Sequence, residues 1–297
     1  MISVKNVTKS FDEVKALDGL DMHVPRGAIY GLVGPNGAGK STILRHITGI
    51  YRQNSGEILI NGEPVFENPR IKGLISFIPD DVFYFNQATI RDMMKYYRGI
   101  YPRFSPERYR QLIDTFSLNE RTKMRSLSKG MQKQAAFILA MSCCPELLIM
   151  DEPVDGLDPV MRRQVWGILM SDVAENGTTI LVSSHNLREL EDVCDHVGIM
   201  NKGHMLLERS LSELQENVVK VQVALPERAA LPEDLNIINS SGAGKLRTLI
   251  IRGATQEISD KVSACNPLFM DLLPLSLEEI FIYELGGEHY EVKDILL

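Results

Sequence analysis

Apolar and polar residues alternate along residues 2–30 of the chain. The apolar positions of this stretch include Ile2, Val4, Val7, Leu17, Leu20, Met22 and Val24. A period of two residues is typical of a strand that buries one face, so we predict an antiparallel β layer near the start of the chain. Residues 57–60, followed by Asn61-Gly62, predict a further strand and a turn.

A helical period replaces this alternation over about residues 86–144, where Pro145 ends it. The stretch therefore predicts a helical insert. After the insert, strands are predicted at 147–150 and 178–182, and helices at 160–175 and 187–195. Alternating strands and helices are typical of a parallel sheet that binds ligands at its carboxyl edge. The predicted fold class is thus α/β, with residues 1–214 as the main domain.

Residues 215–297 are predicted to form their own strands and helices. Strands are predicted at 218–225, 246–251 and 269–273, and helices at 257–265 and 277–285. Gly242-Ala243-Gly244-Lys245 is predicted to be a hairpin turn, because Ser240-Ser241-Gly242 has the composition of a turn between two apolar runs. We therefore predict a small C-terminal accessory α/β domain over residues 215–297.

Composition and charge narrow the classes of partner. The chain has 297 residues, 44% of them hydrophobic, which is enough for a large core and a small second one. Its net charge of −7 and pI of about 5.5 argue against broad electrostatic binding of nucleic acid. No apolar run reaches the roughly 18 residues of a membrane span, and Met1-Ile2-Ser3 does not resemble a signal peptide. The four cysteines lack zinc-site spacing and are expected to be reduced cytosolic thiols.

One motif predicts a bound nucleoside triphosphate. Residues 34–41 read Gly-x-x-x-x-Gly-Lys-Ser, between an apolar run at 29–33 and a helical segment at 41–47, as a phosphate-binding loop requires. The predicted binding residues are Gly34, Pro35, Asn36, Gly37, Ala38, Gly39, Lys40, Ser41 and Thr42. The glycines let backbone N–H groups converge on phosphates, Lys40 adds a full charge, and the Ser41 hydroxyl suits Mg²⁺. The alternative is a glycine turn with an incidental lysine.

Two carboxylates and a histidine follow predicted strands of the same sheet. Asp151 and Glu152 follow the strand at 147–150, so Asp151 is expected to hold Mg²⁺ through water and Glu152 to act as catalytic base. His185 follows the strand at 178–182 and is expected to hydrogen-bond the γ-phosphate. The alternatives are an acidic helix start for the carboxylates and a structural role for the histidine.

A further pair of residues, Ser128 and Gly130, stands at the start of a predicted helix whose N–H groups can face an anion. The motifs occur in the order phosphate loop, Leu127–Gln132, Leu147–Pro153, Gly156–Pro159 and Ser183–His185. This order closely resembles that of the ATP-binding subunits of ABC transporters, over residues 1 to about 212. The resemblance implies a P-loop NTPase fold and hydrolysis of ATP with Mg²⁺.

The resemblance also assigns roles to individual residues. Phe11 stands where the family carries an aromatic residue that stacks on adenine. Ser128 with Gly130 resembles the signature motif, which holds the γ-phosphate of a second subunit, and Asp158 would lie at the seam between the two subunits. We therefore expect a homodimer or a heterodimer of ATP-binding subunits.

Two departures from the family pattern bear on turnover. Asp80 replaces the glutamine that many relatives carry after the strand at 74–78, and its shorter, charged side chain would lie near Mg²⁺. Asp80 is therefore counted with Ser41 and Asp151 as a candidate metal residue. The signature contains Lys129 and Met131 where glycine and glutamine are commoner, which would weaken hydrogen bonding at this half of the site.

Ten of the chain's twenty aromatic residues lie within residues 77–116. Such density beside the nucleotide loop fits either the core of the insert or a docking surface. In the family this surface receives an integral membrane permease made from another chain, which implies a cytoplasmic protein peripheral on the inner face of the membrane. The stretch Leu275–Phe281 is similar to the tails of bacterial drug and antimicrobial-peptide exporter ATPases.

Two other functions fit the motifs. One is a soluble ABC-type ATPase that acts on ribosomes, DNA or iron–sulfur assembly, although the chain has neither tandem cassettes nor a long coiled coil. The other is a nucleotide-sensing regulatory subunit with weak ATPase activity, which Asp80 and Lys129 make conceivable. Export driven by ATP hydrolysis is the function that we predict.

Overall fold

The computed structural model describes residues 1–279 except residues 217, 227–230, 233, 244 and 274. It divides into two compact units, one of residues 1–186 with 193–208 and one of residues 187–192 with residue 209 onward. The predicted domain boundary at residue 214 stays a prediction. Each unit has its own hydrophobic core.

The strands up to residue 210 are β1 (Ile2–Phe11), β2 (Val14–Val24), β3 (Ile29–Val33), β4 (Ser55–Ile60), β5 (Glu63–Pro64), β6 (Ile75–Ile78), β7 (Leu147–Asp151), β8 (Thr179–Ser184), β9 (His196–Asn201) and β10 (His204–Ser210). β2, β1, β4 and β5 form an antiparallel sheet in that order. Val4 faces Met22 across β1 and β2, and both are buried. The predicted antiparallel layer is thus confirmed as far as Val24.

A second sheet has the order β10-β9-β3-β8-β7-β6, and β6, β7, β8, β3 and β9 pair in parallel. The parallel sheet is therefore confirmed, and β3 belongs to it rather than to the antiparallel layer. The sequence analysis did not predict β9 and β10. It placed a helix at 187–195, but the observed helix ends at Glu191. The reason is that Asp195 exchanges hydrogen bonds with Ile29 at 2.8 and 2.9 Å, which draws the chain into the sheet.

The helices of this part of the chain are α1 (Lys40–Ile47), α2 (Pro69–Lys72), α3 (Ile90–Ile100), α4 (Pro106–Thr115), α5 (Lys129–Ser142), α6 (Pro159–Asn176) and α7 (Arg188–Glu191), with a 3₁₀ turn at Met124–Ser126. α3, α4 and α5 confirm the helical insert. Each starts at a polar cap: Thr89, Ser105 and Ser128 accept hydrogen bonds from backbone N–H groups of the first turn. These caps explain why the helical stretch predicted over about residues 86–144 forms three separate helices.

The core of the first unit joins both sheets through α1. Val4 and Leu20 of the antiparallel layer, Leu44 of α1, and Leu32 and Ile149 of the parallel sheet are members of one buried cluster. α1 starts directly after the phosphate loop, so packing of its apolar face fixes the position of the loop between the sheets.

The second unit contains α8 (Leu211–Glu216), β11 (Val218–Ala224), β12 (Asn236–Ala243), β13 (Leu246–Arg252), α9 (Thr255–Ser263) and β14 (Phe269–Leu273). Its sheet has the order β12-β13-β11-β14, and its neighbouring strands are antiparallel. Ile258 and Val262 of α9 share the core of this sheet. The predicted hairpin is confirmed, because β12 and β13 pair in antiparallel fashion as far as Ala243 and Leu246, although Ser240 and Ser241 lie within β12 rather than in the turn. The helix predicted at 277–285 lies mostly outside the described residues.

Within the described ranges, no helix combines the length and the apolar character that crossing a membrane requires. All four cysteines are free thiols. Burial raises the pKa of Cys143 to about 12, so this thiol is neutral at ordinary pH and serves as a small core side chain.

A buried carboxylate joins two helices to the start of a strand. Asp172 of α6 is only 3% exposed. It pairs with the guanidinium of Arg108 on α4 and accepts hydrogen bonds from Asn176 and Thr178, both at 2.7 Å. A buried charge is tolerated only when it is paired in this way.

We predict that Asp172→Ala lowers the free energy of unfolding by about 3 kcal/mol, because it leaves the half-buried Arg108 without its counter-ion. Urea denaturation followed by circular dichroism measures the change. Glu175→Ala is the matched control, since Glu175 is exposed on the same helix. Equal stability of the two variants would contradict this structural role.

Candidate functional site

The loop between β3 and α1 uses its glycines for different physical reasons. A Cβ on Gly34 would lie 2.3 Å from the carbonyl oxygen of Met200. Gly39 has a φ of 105°, and a Cβ there would lie 2.7 Å from the carbonyl oxygen of Ala16. Gly37 has a φ of 80° but open space around it. Close packing and positive φ together therefore exclude other residues at most of these positions.

Lys40 is almost buried behind this loop. Its Nζ donates to the carbonyl oxygens of Gly34 at 2.5 Å and Pro35 at 3.3 Å, and lies 3.7 Å from Oε1 of Glu152. Burial lowers the pKa of Lys40 from its usual 10.5, while the carboxylates of Glu152 and Asp151 act in the opposite direction. Phosphate oxygens would be stronger charged acceptors for this ammonium than the loop carbonyls.

The start of α1 is open to an anion. Gly39 occupies its N-cap position, and no side chain of the described residues caps the helix. The first N–H groups of a helix lack intrahelical partners and carry a partial positive charge. Ser41 and Thr42 follow in the first turn and are partly exposed. The predicted phosphate-binding residues are thus brought together in one cradle.

Asp151 is the last residue of β7 and is 3% exposed. Ser183 on the neighbouring strand β8 donates its hydroxyl to Oδ1 of Asp151 at 2.6 Å. This bond fixes the carboxylate at the carboxyl edge of the sheet. Throughout the described part of the chain, no group of three or more His, Cys, Asp and Glu side chains is arranged to hold a metal. A cation at Asp151 would therefore need further oxygen ligands from a phosphate, a hydroxyl and water.

Glu152 has a φ of 49°, which is uncommon for a residue with a side chain. Its N–H lies 3.3 Å from the carbonyl oxygen and 3.2 Å from the hydroxyl of Ser183. Its carboxylate lies between two cationic or polar partners: Oε2 is 2.9 Å from Nδ1 of His185, and Oε1 is 3.7 Å from Nζ of Lys40. The structure therefore brings both predicted catalytic residues next to the phosphate loop.

Ser128 and Asp158 each cap a helix. Oγ of Ser128 accepts from the N–H of Met131 at 3.2 Å, and Oδ1 of Asp158 accepts from the N–H groups of Val160 and Met161 at 2.9 and 3.0 Å. A Cβ on Gly130 would lie 3.2 Å from the carbonyl oxygen of Gly156. The signature segment and the loop before α6 are thus neighbours, and their role toward a second subunit stays a prediction.

Phe11 is 40% exposed, and its ring meets that of Tyr51 edge-on, with centroids 5.4 Å apart. Nζ of Lys9 lies 5.1 Å from the centroid of Phe11. Tyr51 was missed from the sequence, because a lone aromatic residue after a helix carries no motif. Its edge contact supports the ring of Phe11 and leaves that ring available for stacking.

Asp80 lies in the connection between β6 and α3, and its side chain is 56% exposed. Its Oδ1 accepts from Nζ of Lys133 at 3.0 Å. The same ammonium donates to the carbonyl oxygen of Glu152 at 2.7 Å. Sequence reasoning also missed Lys133, since no sequence signal shows which residue of α5 faces Glu152. The role of Asp80 at the metal stays a prediction.

The chain is similar to known ATP-binding proteins of transporters. A family model described as ABC transporter matches residues 17–155. The ABC transporter ATP-binding protein YtrB of Bacillus subtilis strain 168 is 32% identical over 289 residues, 97% of this chain and 99% of the relative. The bacitracin transport ATP-binding protein BcrA of Bacillus licheniformis is 33% identical over 220 residues, 73% of this chain and 72% of the relative. A solved ATP-binding subunit of an ABC transporter has a TM-score of 0.67 at 27% identity, covering 72% of this chain and 92% of that chain.

Two glycine variants test whether close packing at Gly39 constrains the loop more than positive φ alone does. Gly37→Ala is expected to cost about 1 kcal/mol of stability, because it places a Cβ at positive φ in open space. Gly39→Ala is expected to cost about 1–3 kcal/mol more, since its Cβ also meets the carbonyl of Ala16. Denaturation of the nucleotide-free protein measures both, and equal losses would show that the close approach at Gly39 does not constrain the loop.

Proposed function

This chain belongs to the ATP-binding proteins of ABC transporters and is an ATPase of that family, and from this premise we propose that it powers export through a separate membrane permease. The observation that carries the proposed hydrolysis of ATP is the position of Glu152, whose carboxylate is 2.9 Å from His185 and 3.7 Å from the phosphate-loop lysine. Similarity to the bacitracin transport protein over 73% of this chain supports a role in transport.

The residues of the loop would bind the triphosphate of ATP. The uncapped N–H groups at the start of α1 and the ammonium of Lys40 would donate to the phosphates, and Phe11 offers an exposed ring for the adenine. Ser41 and Asp151 would hold Mg²⁺, which prefers oxygen ligands. Ser41 offers a hydroxyl in the uncapped first turn of α1, and Asp151 offers a buried carboxylate that Ser183 holds in place. The ion, when bound, neutralises charge that develops on the phosphates.

Glu152 would orient and deprotonate the attacking water. Its carboxylate is 16% exposed, so solvent reaches it, and Ser183 holds its main-chain N–H. His185 would hold Oε2 of Glu152 and contact the γ-phosphate with its other ring nitrogen. Positioning of this kind supplies most of the catalysis in phosphoryl transfer.

A second ATP-binding subunit would complete the site. Ser128 and Gly130 place the first turn of α5 close to Gly156 in the loop that leads to Asp158. In the proposed assembly this edge faces the ATP of the partner subunit, where helix N–H groups stabilise the γ-phosphate. Either a homodimer or a heterodimer provides this arrangement.

The permease would dock on an exposed apolar surface of the insert, which we call the aromatic patch. It consists of Phe83, Phe85, Tyr96 and Ile100, which are 62%, 46%, 43% and 53% exposed. The rings of Phe83 and Phe85 are 5.4 Å apart, and those of Phe85 and Tyr96 are 4.9 Å apart, both edge-on. Contiguous exposed aromatic residues mark a protein interface, where such anchors dominate the binding energy.

We expect Glu152→Gln to lower kcat by about 100-fold or more while ATP binding is retained, because the amide keeps the shape but cannot accept a proton. Lys40→Ala, in contrast, is expected to abolish measurable ATP affinity. Steady-state phosphate release and isothermal titration calorimetry separate the two effects. Unchanged turnover in the glutamine variant would remove Glu152 from its proposed role.

Phe85→Ala is expected to weaken association with the membrane partner about 30-fold, since interface aromatic residues often contribute about 2 kcal/mol. Affinity purification from detergent-solubilised membranes measures how much of a polytopic protein co-elutes. Met170→Ala is the matched control, because Met170 is an equally exposed apolar residue on α6. Recovery of ribosomal proteins alone would favour the soluble ATPase instead.

A further inference from the structure

Lys133 contacts two functional segments that are far apart in the chain. Its side chain is 11% exposed, and its Nζ donates to Oδ1 of Asp80 at 3.0 Å and to the carbonyl oxygen of Glu152 at 2.7 Å. Both contacts are short enough to be full hydrogen bonds. The ammonium thus links the connection after β6 to the residue that follows β7.

The bond to Glu152 falls on a strained part of the main chain. A residue with a side chain and a φ of 49° is about 1–2 kcal/mol less favourable than in a right-handed conformation. Surrounding contacts must therefore hold it. Ser183 holds the N–H of Glu152 from one side, and Lys133 holds its carbonyl from the other, where the N–H of Asp155 is more distant at 3.4 Å.

The orientation of this peptide decides where the Glu152 carboxylate lies. That carboxylate contacts His185 and Lys40 on the side facing the phosphate loop. A change in the conformation of Glu152 would swing its side chain away from both. A displacement of about 1 Å at a reacting group is enough to reduce turnover by about 100-fold.

Asp80 supplies the negative charge that a nearly buried ammonium requires. With one Asp80 oxygen accepting from Lys133, the carboxylate acts as a counter-ion within the protein. This role differs from the metal role that its place in the sequence predicts, and the two roles make different experimental predictions.

We propose that Lys133 is a positioning residue that holds the main chain of Glu152 in its active conformation, with Asp80 as its counter-ion. The proposal rests on the proposed role of Glu152 as the base. Lys133 contacts the main chain of Glu152, so its loss is expected to affect turnover more than ATP binding.

The test compares Lys133→Met with Lys133→Arg and with Lys72→Met. Lys72 is the matched control, because its Nζ also donates to a main-chain carbonyl, that of Gly49 at 3.0 Å, away from Glu152. We expect Lys133→Met to lower kcat by about 10- to 100-fold with ATP affinity within about twofold of wild type. Lys133→Arg retains charge and donors and should recover most of the turnover. Lys72→Met should leave kcat unchanged.

The readouts are kcat and KM from phosphate release, ATP affinity from calorimetry and Tm from circular dichroism. A matching Tm in the Lys133→Met and Lys72→Met variants would show that the loss of turnover is not a loss of fold. Wild-type kcat in Lys133→Met, or an equal loss of kcat and ATP affinity, would overturn the proposal. Absence of turnover in the wild-type protein would instead contradict the proposed function itself.

Asp80→Asn provides a second test that does not require Lys133 to change. The amide oxygen still accepts from Lys133 but lacks the charge, so we expect kcat to fall only about two- to fivefold. Raising the Mg²⁺ concentration should not restore it, and titration of Mg²⁺-dependent ATP affinity should match wild type. Recovery at high Mg²⁺ would show that Asp80 is a metal ligand and would overturn its assignment as a counter-ion.

Discussion

Glu152 adopts a left-handed main-chain conformation where β7 leaves the parallel sheet, and its carboxylate lies 3.7 Å from Lys40. The rest of the site depends on this turn, because an extended continuation of the strand would carry the next side chain past the phosphate loop. The conformation is unfavourable by itself. Hydrogen bonds from both sides of the peptide, to Ser183 and from Lys133, offset that cost.

The order of strands brings these groups together. β3 leads into the phosphate loop, β7 ends in Asp151, and β8 lies between them with Ser183 and His185 at its carboxyl end. Parallel pairing aligns all three carboxyl ends at one edge. Charges at this edge are balanced locally: burial lowers the pKa of Lys40, and the neighbouring carboxylates of Glu152 and Asp151 oppose that change. The two carboxylates thus counteract part of the effect of burial on this ammonium.

Some aromatic residues of residues 77–116 belong to the core, and others form an exposed surface; the sequence left these two roles open. Tyr109 and Phe116 are buried, and burial raises the pKa of Tyr101 to about 12, as expected for side chains of a core. Phe85 and Tyr96 remain exposed in the aromatic patch. Tyr96 lies on the outer side of α3, an amphipathic helix whose other side enters the core.

The sequence by itself determined the family and the α/β class, and it predicted the phosphate loop and the pair Glu152 and His185, because each depends on residues close together in the chain or on a fixed order of motifs. It did not reveal β9 and β10, where pairing with the distant strand β3 brings the chain back into the sheet. Nor did it find Lys133, Ser183 or Tyr51 as partners of the site. Only the tertiary structure decided these contacts. Each joins two residues that are far apart in the chain and meet only when the sheets and helices pack.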